Sequence, residues 1–248
     1  MAKESYALGL DYGTNSVRAL IVNTQTGEEI GTGFFDYPSG ENGIILDPKN
    51  PNLARQYPGD YLEGFYRSVS IAIEDASKDK NFSADKIVGI GVDTTASTPI
   101  PLDSECVPLA LLHAFRDNPN AQAWLWKDHT SIKEADEITQ NAKGFPYLPK
   151  VGGAYSSEWF WAKILRCSRI DPAVFNYATT WVELCDFIPA YLTGVNKPEN
   201  IKRSACAAGH KALWNSQWGG LPSDEFLSQV SDNLVSLKKK LYKEVFYI

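Results

Sequence analysis

Apolar and polar positions alternate almost from the start of the chain. Leu8 and Leu10 are spaced by small residues and end at Asp11, and Val17, Ala19, Ile21 and Val22 resume the pattern after Gly13-Thr14-Asn15-Ser16. A period of two on both sides of a short polar turn predicts a β-hairpin. Asn23–Gly27 supplies a second turn, and Glu28–Tyr37 can return as a third strand, so three antiparallel strands open the chain. A long loop rich in Gly, Pro and Asn follows between Pro38 and Pro58. The period then changes: Leu62, Phe65, Tyr66, Val69, Ala72, Ile73 and Ala76 fall at three- and four-residue spacings, which predicts a helix with Asp60 as its N-cap. Lys86–Asp93 reads as a buried strand ending in the hydroxyl-rich Thr94-Thr95-Ala96-Ser97-Thr98, before Pro99–Leu102 and a turn at Asp103-Ser104. Strand, helix and strand in this order predict an α/β domain with a mixed sheet, whose strand ends are the usual place for a ligand.

From Asn120 the pattern becomes helical and aromatic. Helices are predicted over Ser156–Arg169, from the Asp171-Pro172 start, over Thr180–Leu192 with a bend at Pro189 and a stop at Thr193-Gly194, and over Ser223–Leu237. Neither a repeat nor a low-complexity linker interrupts the chain, so residues 1–248 are read as one domain. Lys243–Ile248 is apolar enough to begin another element, so the domain is expected to be cut from something larger.

Composition narrows the partners. The net charge is −6 with both signs mixed along the chain, and Lys238-Lys239-Lys240 is the one basic run, so a nucleic acid or an anionic membrane is not the expected partner. Cys106, Cys167, Cys185 and Cys206 form no CxxC pair and no zinc spacing with the three histidines, and read as free thiols of a reducing, cytoplasmic compartment. No apolar run reaches the ~18 residues of a membrane span. The first turn admits two readings. Gly13 and Asn15 suit a turn that needs positive φ. The same stretch suits a phosphate-binding loop, with backbone N–H groups facing an anion and Asp11 at the strand end holding Mg²⁺.

Five ordered segments resemble one family. Asp11-Tyr12-Gly13-Thr14-Asn15-Ser16, Gly89–Thr98, Leu125-Trp126-Lys127-Asp128-His129, Gly152–Trp159 and Cys206–Trp214 are similar to segments of the N-terminal domain of FGGY carbohydrate kinases, with Leu192-Thr193-Gly194 as a common helix ending. The third segment departs from the pattern LWKHH at Asp128. The Ala96 and Lys211 segments resemble most the branch that converts L-ribulose to L-ribulose 5-phosphate; xylulose and other polyol kinases of the family, or a non-catalytic sugar-binding relative, are the alternatives.

The resemblance implies a ribonuclease-H-like domain of the actin and hexokinase type, a mixed sheet flanked by helices, that binds sugar opposite a separate nucleotide-binding domain. It implies ATP and Mg²⁺, with Asp11 at the metal, Gly13, Thr14 and Asn15 as phosphate donors and Arg18 assisting, although a strand arginine also faces solvent by default. Thr95, Ala96, Trp126 and Lys211 are the implied sugar contacts. Ala96 would let substrate approach the backbone closely, Trp126 would pack against the carbon skeleton, and Lys211 would meet an oxygen. Ordinary packing is the competing reading for Ala96 and Trp126, and a surface lysine for Lys211. His129 and His210 are read as structural. The family's general base is an aspartate of the second domain, with no counterpart before Ile248, so no catalytic residue is expected here. Surface facing an absent second domain would favour self-association into a homo-oligomer.

Overall fold

Alternation in the first strands is the alternation of a sheet covered on one side. The computed structural model describes residues 4–247. In chain order it begins with strands β1 (Tyr6–Tyr12), β2 (Ser16–Asn23), β3 (Glu29–Asp36), β4 (Ile45–Asp47) and β5 (Asn50–Gln56). Helix α1 (Pro58–Ala76) follows, then β6 (Ile87–Thr94), β7 (Pro99–Leu102) and β8 (Ala123–Trp124). Helices α2 (Ile132–Asn141), α3 (Phe160–Ile170) and α4 (Pro172–Tyr177) precede β9 (Thr180–Glu183). Helices α5 (Leu184–Leu192), α6 (Ala205–Lys211), α7 (Asp224–Val230) and α8 (Asp232–Lys238) complete the order.

The chain divides into two compact units, one of residues up to Ile45 with Gln56–Thr95, the other of Leu46–Arg55 with the residues from Ala96 onward. The first unit is a four-stranded sheet in the order β3-β2-β1-β6, with β1 antiparallel to β2 and parallel to β6. Tyr6, Leu8, Leu10 and Tyr12 are buried on one face while Gly9 and Asp11 are exposed on the other. Helix α1 covers β2 and β3 closely. A Cβ on Gly33 would stand 1.8 Å from the Ser68 carbonyl oxygen, and one on Gly31 2.4 Å from that of Ala72, so only glycine admits the helix at this distance. The second unit carries the sheets β4-β5-β8 and β7-β9 and an aromatic core that includes Trp124, Trp161 and Trp181.

Several elements differ from the sequence expectation. The Pro38–Pro58 loop contains β4 and β5. Asp60 lies inside the first turn of α1 and accepts the Ser39 N–H and hydroxyl at 3.1 and 2.9 Å, so Pro at the first positions starts the helix instead. Strand β6 is largely exposed, with Val88 at 71% and Ile90 at 51%, because it ends the sheet beyond the reach of α1. Thr180–Glu183 is a strand paired with β7, and only Leu184–Leu192 is helical. Ser223–Leu237 is two helices, each begun by a serine hydroxyl: Ser223 accepts the Phe226 N–H and Ser231 the Asn233 N–H. Ile248 of the expected C-terminal element lies outside the described residues; Phe246 bridges to Ser204.

Candidate functional site

In the first unit the register sets the site. Asp11 lies opposite Arg18 on β2 and Asp93 on β6, giving an exposed cross-strand row of one cation and two carboxylates on the face away from α1. Asp93 was not singled out in the sequence; the signal was its identical place at the end of the neighbouring parallel strand. Beside the row, a Cβ on Gly91 would meet nothing within 4 Å, and one on Gly9 only the Leu20 carbonyl oxygen at 3.8 Å. Packing therefore does not require these glycines. Exposed carboxylate oxygens in register, next to backbone left bare, fit a hydrated divalent cation.

The turn itself is held firmly. The Gly13 N–H donates to the Ser16 carbonyl at 2.9 Å, and Gln56 donates through Nε2 to the Thr14 carbonyl at 2.7 Å while its Oε1 accepts from the Tyr61 hydroxyl. The Tyr37 N–H donates to the Asn15 carbonyl, and Asn15 Nδ2 to that of Asn42 at 2.6 Å. Neither Gly13 nor Asn15 has positive φ, so positive φ does not explain the turn's composition. Beside it a cavity of about 470 Å³ is lined by Asn15, Asp36, Tyr37 and Asn42. Thr95 belongs to this unit, its N–H donating to the Tyr12 carbonyl at 3.0 Å.

The remaining predicted residues belong to the second unit. Ala96 is exposed and Trp126 is 39% exposed, so neither is a core residue. Ala96 precedes Ser97, which takes φ +61° and turns the chain into β7. Two residues after Trp126, Asp128 is fully buried and paired with the buried Arg55 guanidinium; it also accepts the Ala54 N–H at 2.8 Å and the Thr130 hydroxyl at 2.6 Å. Arg55 lies 3.4 Å above the Trp124 ring. The departure at Asp128 thus has a structural role: the carboxylate neutralises Arg55 and anchors the segment that presents Trp126.

Lys211 is half-buried at the end of α6, its ammonium 5.6 Å over the Trp159 ring and its carbonyl bonded to the Tyr155 hydroxyl. It acts electrostatically on two buried groups that sequence reading missed, Lys163 and Glu183. Burial pushes the Glu183 carboxyl up to about 7 against the pull of Lys163, while its Oε2 accepts the Thr98 N–H at 2.8 Å. Burial likewise raises Asp186 to about 6. His129 contacts Ser157 and Glu158, and His210 lies against Trp159 with its pKa lowered by burial and by Lys211. A cavity of about 640 Å³ between Lys202, Lys239 and Phe246 contains none of the predicted site residues. Among the described residues all four cysteines are free, no three metal-ligating side chains cluster, and no helix is long and apolar enough to cross a membrane.

Comparison with known proteins identifies the family. A profile of the FGGY family of carbohydrate kinases, N-terminal domain, matches residues 6–206. The ribulokinase of Vibrio parahaemolyticus is 44% identical over 98% of this chain and 43% of its own length. The ribulokinase of Shouchella clausii is 36% identical over 94% of the chain and 41% of its own length. The chain therefore spans about two fifths of the curated relatives it matches. The crystal structure of a xylulose kinase from Bifidobacterium adolescentis shares the fold, with a TM-score of 0.70 at 14% identity, over 99% of this chain and 47% of that one.

Proposed function

This chain belongs to the FGGY family of carbohydrate kinases, matching its N-terminal domain, and on that premise we propose that it is the sugar-binding part of an ATP-dependent kinase that converts L-ribulose to L-ribulose 5-phosphate. The observation that carries the reading is the 44% identity to a ribulokinase along 98% of the chain. The exposure of Ala96 and Trp126 supports it, since a sugar contact must be open to its ligand and a core residue is not.

Phosphoryl transfer needs alignment and charge neutralisation. In this reading Asp11, with Asp93 beside it, would hold Mg²⁺, which would neutralise charge on the ATP phosphates. The Gly13-Thr14-Asn15 turn and Arg18 would meet the phosphate end. Thr95, Ala96, Trp126 and Lys211 would orient the sugar. None of residues 1–248 is assigned the role of the base that takes the sugar hydroxyl's proton. Location in the cytoplasm and self-association belong to the same proposal.

Isothermal titration of L-ribulose, D-xylulose, ribitol and glycerol tests the sugar assignment, with L-ribulose expected to bind tightest. Tighter binding of D-xylulose would overturn the substrate, and binding of none would overturn the sugar role. A coupled ADP-release assay with MgATP and L-ribulose, using Asp11→Ala to expose contaminating kinase, is expected to show no turnover by this chain alone.

A further inference from the structure

Helix α3 places a lysine on its apolar stripe. Lys163 follows Phe160 by three residues and Trp159 by four, and its side chain is 0% exposed. Its ammonium donates to the carbonyls of Ser97 at 2.7 Å, Leu125 at 2.8 Å and Trp124 at 3.1 Å. Three carbonyl acceptors need three N–H donors, which the protonated amine alone supplies. Burial lowers its pKa, while Glu183 and Glu158 oppose that shift and Arg55 and Lys211 reinforce it.

The acceptors come from two separate segments. Ser97 directly follows Ala96, and Leu125 directly precedes Trp126. The strands bordering them, β6, β7 and β8, lie in three different sheets, so no ladder joins the two segments. An apolar side chain would fill the same space without the cost of burying a charge, but would leave three carbonyls without this donor. Glu183 fixes the other end of the Ala96 turn through the Thr98 N–H.

We propose that Lys163 is a positioning residue for sugar binding, its ammonium holding the Ala96 turn and the Trp126 segment together as one recognition surface. The inference rests on the reading that Ala96 and Trp126 contact the sugar. Lys163 itself touches no substrate in this account.

The test compares L-ribulose binding by the unaltered chain and by Lys163→Met, by titration at a temperature where near-UV circular dichroism shows both folded. At least a tenfold rise in Kd is expected, whatever the change in melting temperature. A lowered melting temperature with unchanged Kd would make Lys163 merely structural and overturn the proposal. Absence of L-ribulose binding by the unaltered chain would instead overturn the sugar reading, and the positioning role with it. Should Lys163→Met not fold, ¹⁵N NMR of the unaltered chain decides. The shielded Lys163 ammonium is expected to give a slowly exchanging signal that shifts as L-ribulose saturates the site, and a signal unmoved by bound sugar overturns the proposal.

Discussion

Replacing Asp128 by Asn removes one charge while keeping the side chain's size. Arg55 and Asp128 are 1% and 0% exposed, so the guanidinium left behind has no solvent to turn to. Its remaining partners are the Pro119 carbonyl at 3.1 Å, the Ala54 carbonyl at 3.4 Å and the Trp124 ring, none of them a counter-charge. The amide also offers one acceptor oxygen where the carboxylate offers two, so either the Ala54 N–H or the Thr130 pair loses its partner. Breaking a buried pair from one side costs about 3–5 kcal/mol. At about 2–4 °C per kcal/mol for a chain of this size, the transition of the second unit should fall by roughly 6–20 °C. Urea titration and calorimetry measure this directly. A double-mutant cycle separates the pair from its surroundings. Arg55→Met alone strands the carboxylate, whereas Arg55→Met with Asp128→Asn leaves no uncompensated charge, so the double variant should be more stable than the sum of the singles predicts, by at least about 1.5 kcal/mol. A loss under about 1 kcal/mol for Asp128→Asn, or strictly additive singles, would refute the claim that Asp128 stabilises this fold through its charge on Arg55 rather than through its turn geometry.

Three further outcomes are expected. Gly33→Ala drives a methyl into the Ser68 carbonyl and should destabilise the first unit by about 1–3 kcal/mol, whereas Gly89→Ala, with nothing within 4 Å, should be neutral in the same urea titration. Glu183 and Asp186 have folded pKa values raised to about 7 and about 6 by burial, so the stability their neutral forms contribute is present below the unfolded carboxylate range, about 4–4.5, and is lost as pH rises through those values. Glu183→Gln should flatten the decline in unfolding free energy between pH 5 and 7, and an unchanged slope would assign that decline elsewhere. Asp11→Ala, altering an exposed side chain, should abolish the thermal shift given by MgATP and leave that given by L-ribulose intact; an undiminished MgATP shift removes Asp11 from the metal.

The opening strands were legible because one face of that sheet is covered and the other is open, so burial wrote a period of two into Leu8, Leu10, Val17, Ala19 and Ile21. Strand β6 misled because its apolar composition says nothing about where a helix will lie over the sheet. Thr180–Glu183 was read as helix although threonine, tryptophan and valine favour a strand; its pairing with Pro99–Leu102 is a long-range fact that no local window contains. The break at Ser231 did have a local signal, since Ser223-Asp224 and Ser231-Asp232 are both helix starts. In the site, the turn pattern already offered Asp11 and the resemblance supplied Ala96, Trp126 and Lys211, while Asp93, Lys163 and Glu183 depended on register and burial. Lys163 carried a local signal, as a charge among the apolar residues of a helical stripe.

The seven tryptophans are unevenly placed, and that gives the protein an optical property. Trp124, Trp159, Trp161 and Trp181 are buried, Trp214 and Trp218 are half-buried, and Trp126 is the most exposed. A collisional quencher such as acrylamide therefore reaches the indole at the candidate sugar surface ahead of the others. Emission lost to the quencher and recovered on adding a pentulose would report occupancy in unlabelled protein, with no coupled enzyme and no second substrate. The residue suited to lie against the sugar's carbon skeleton is also the one whose light a bound sugar would shield.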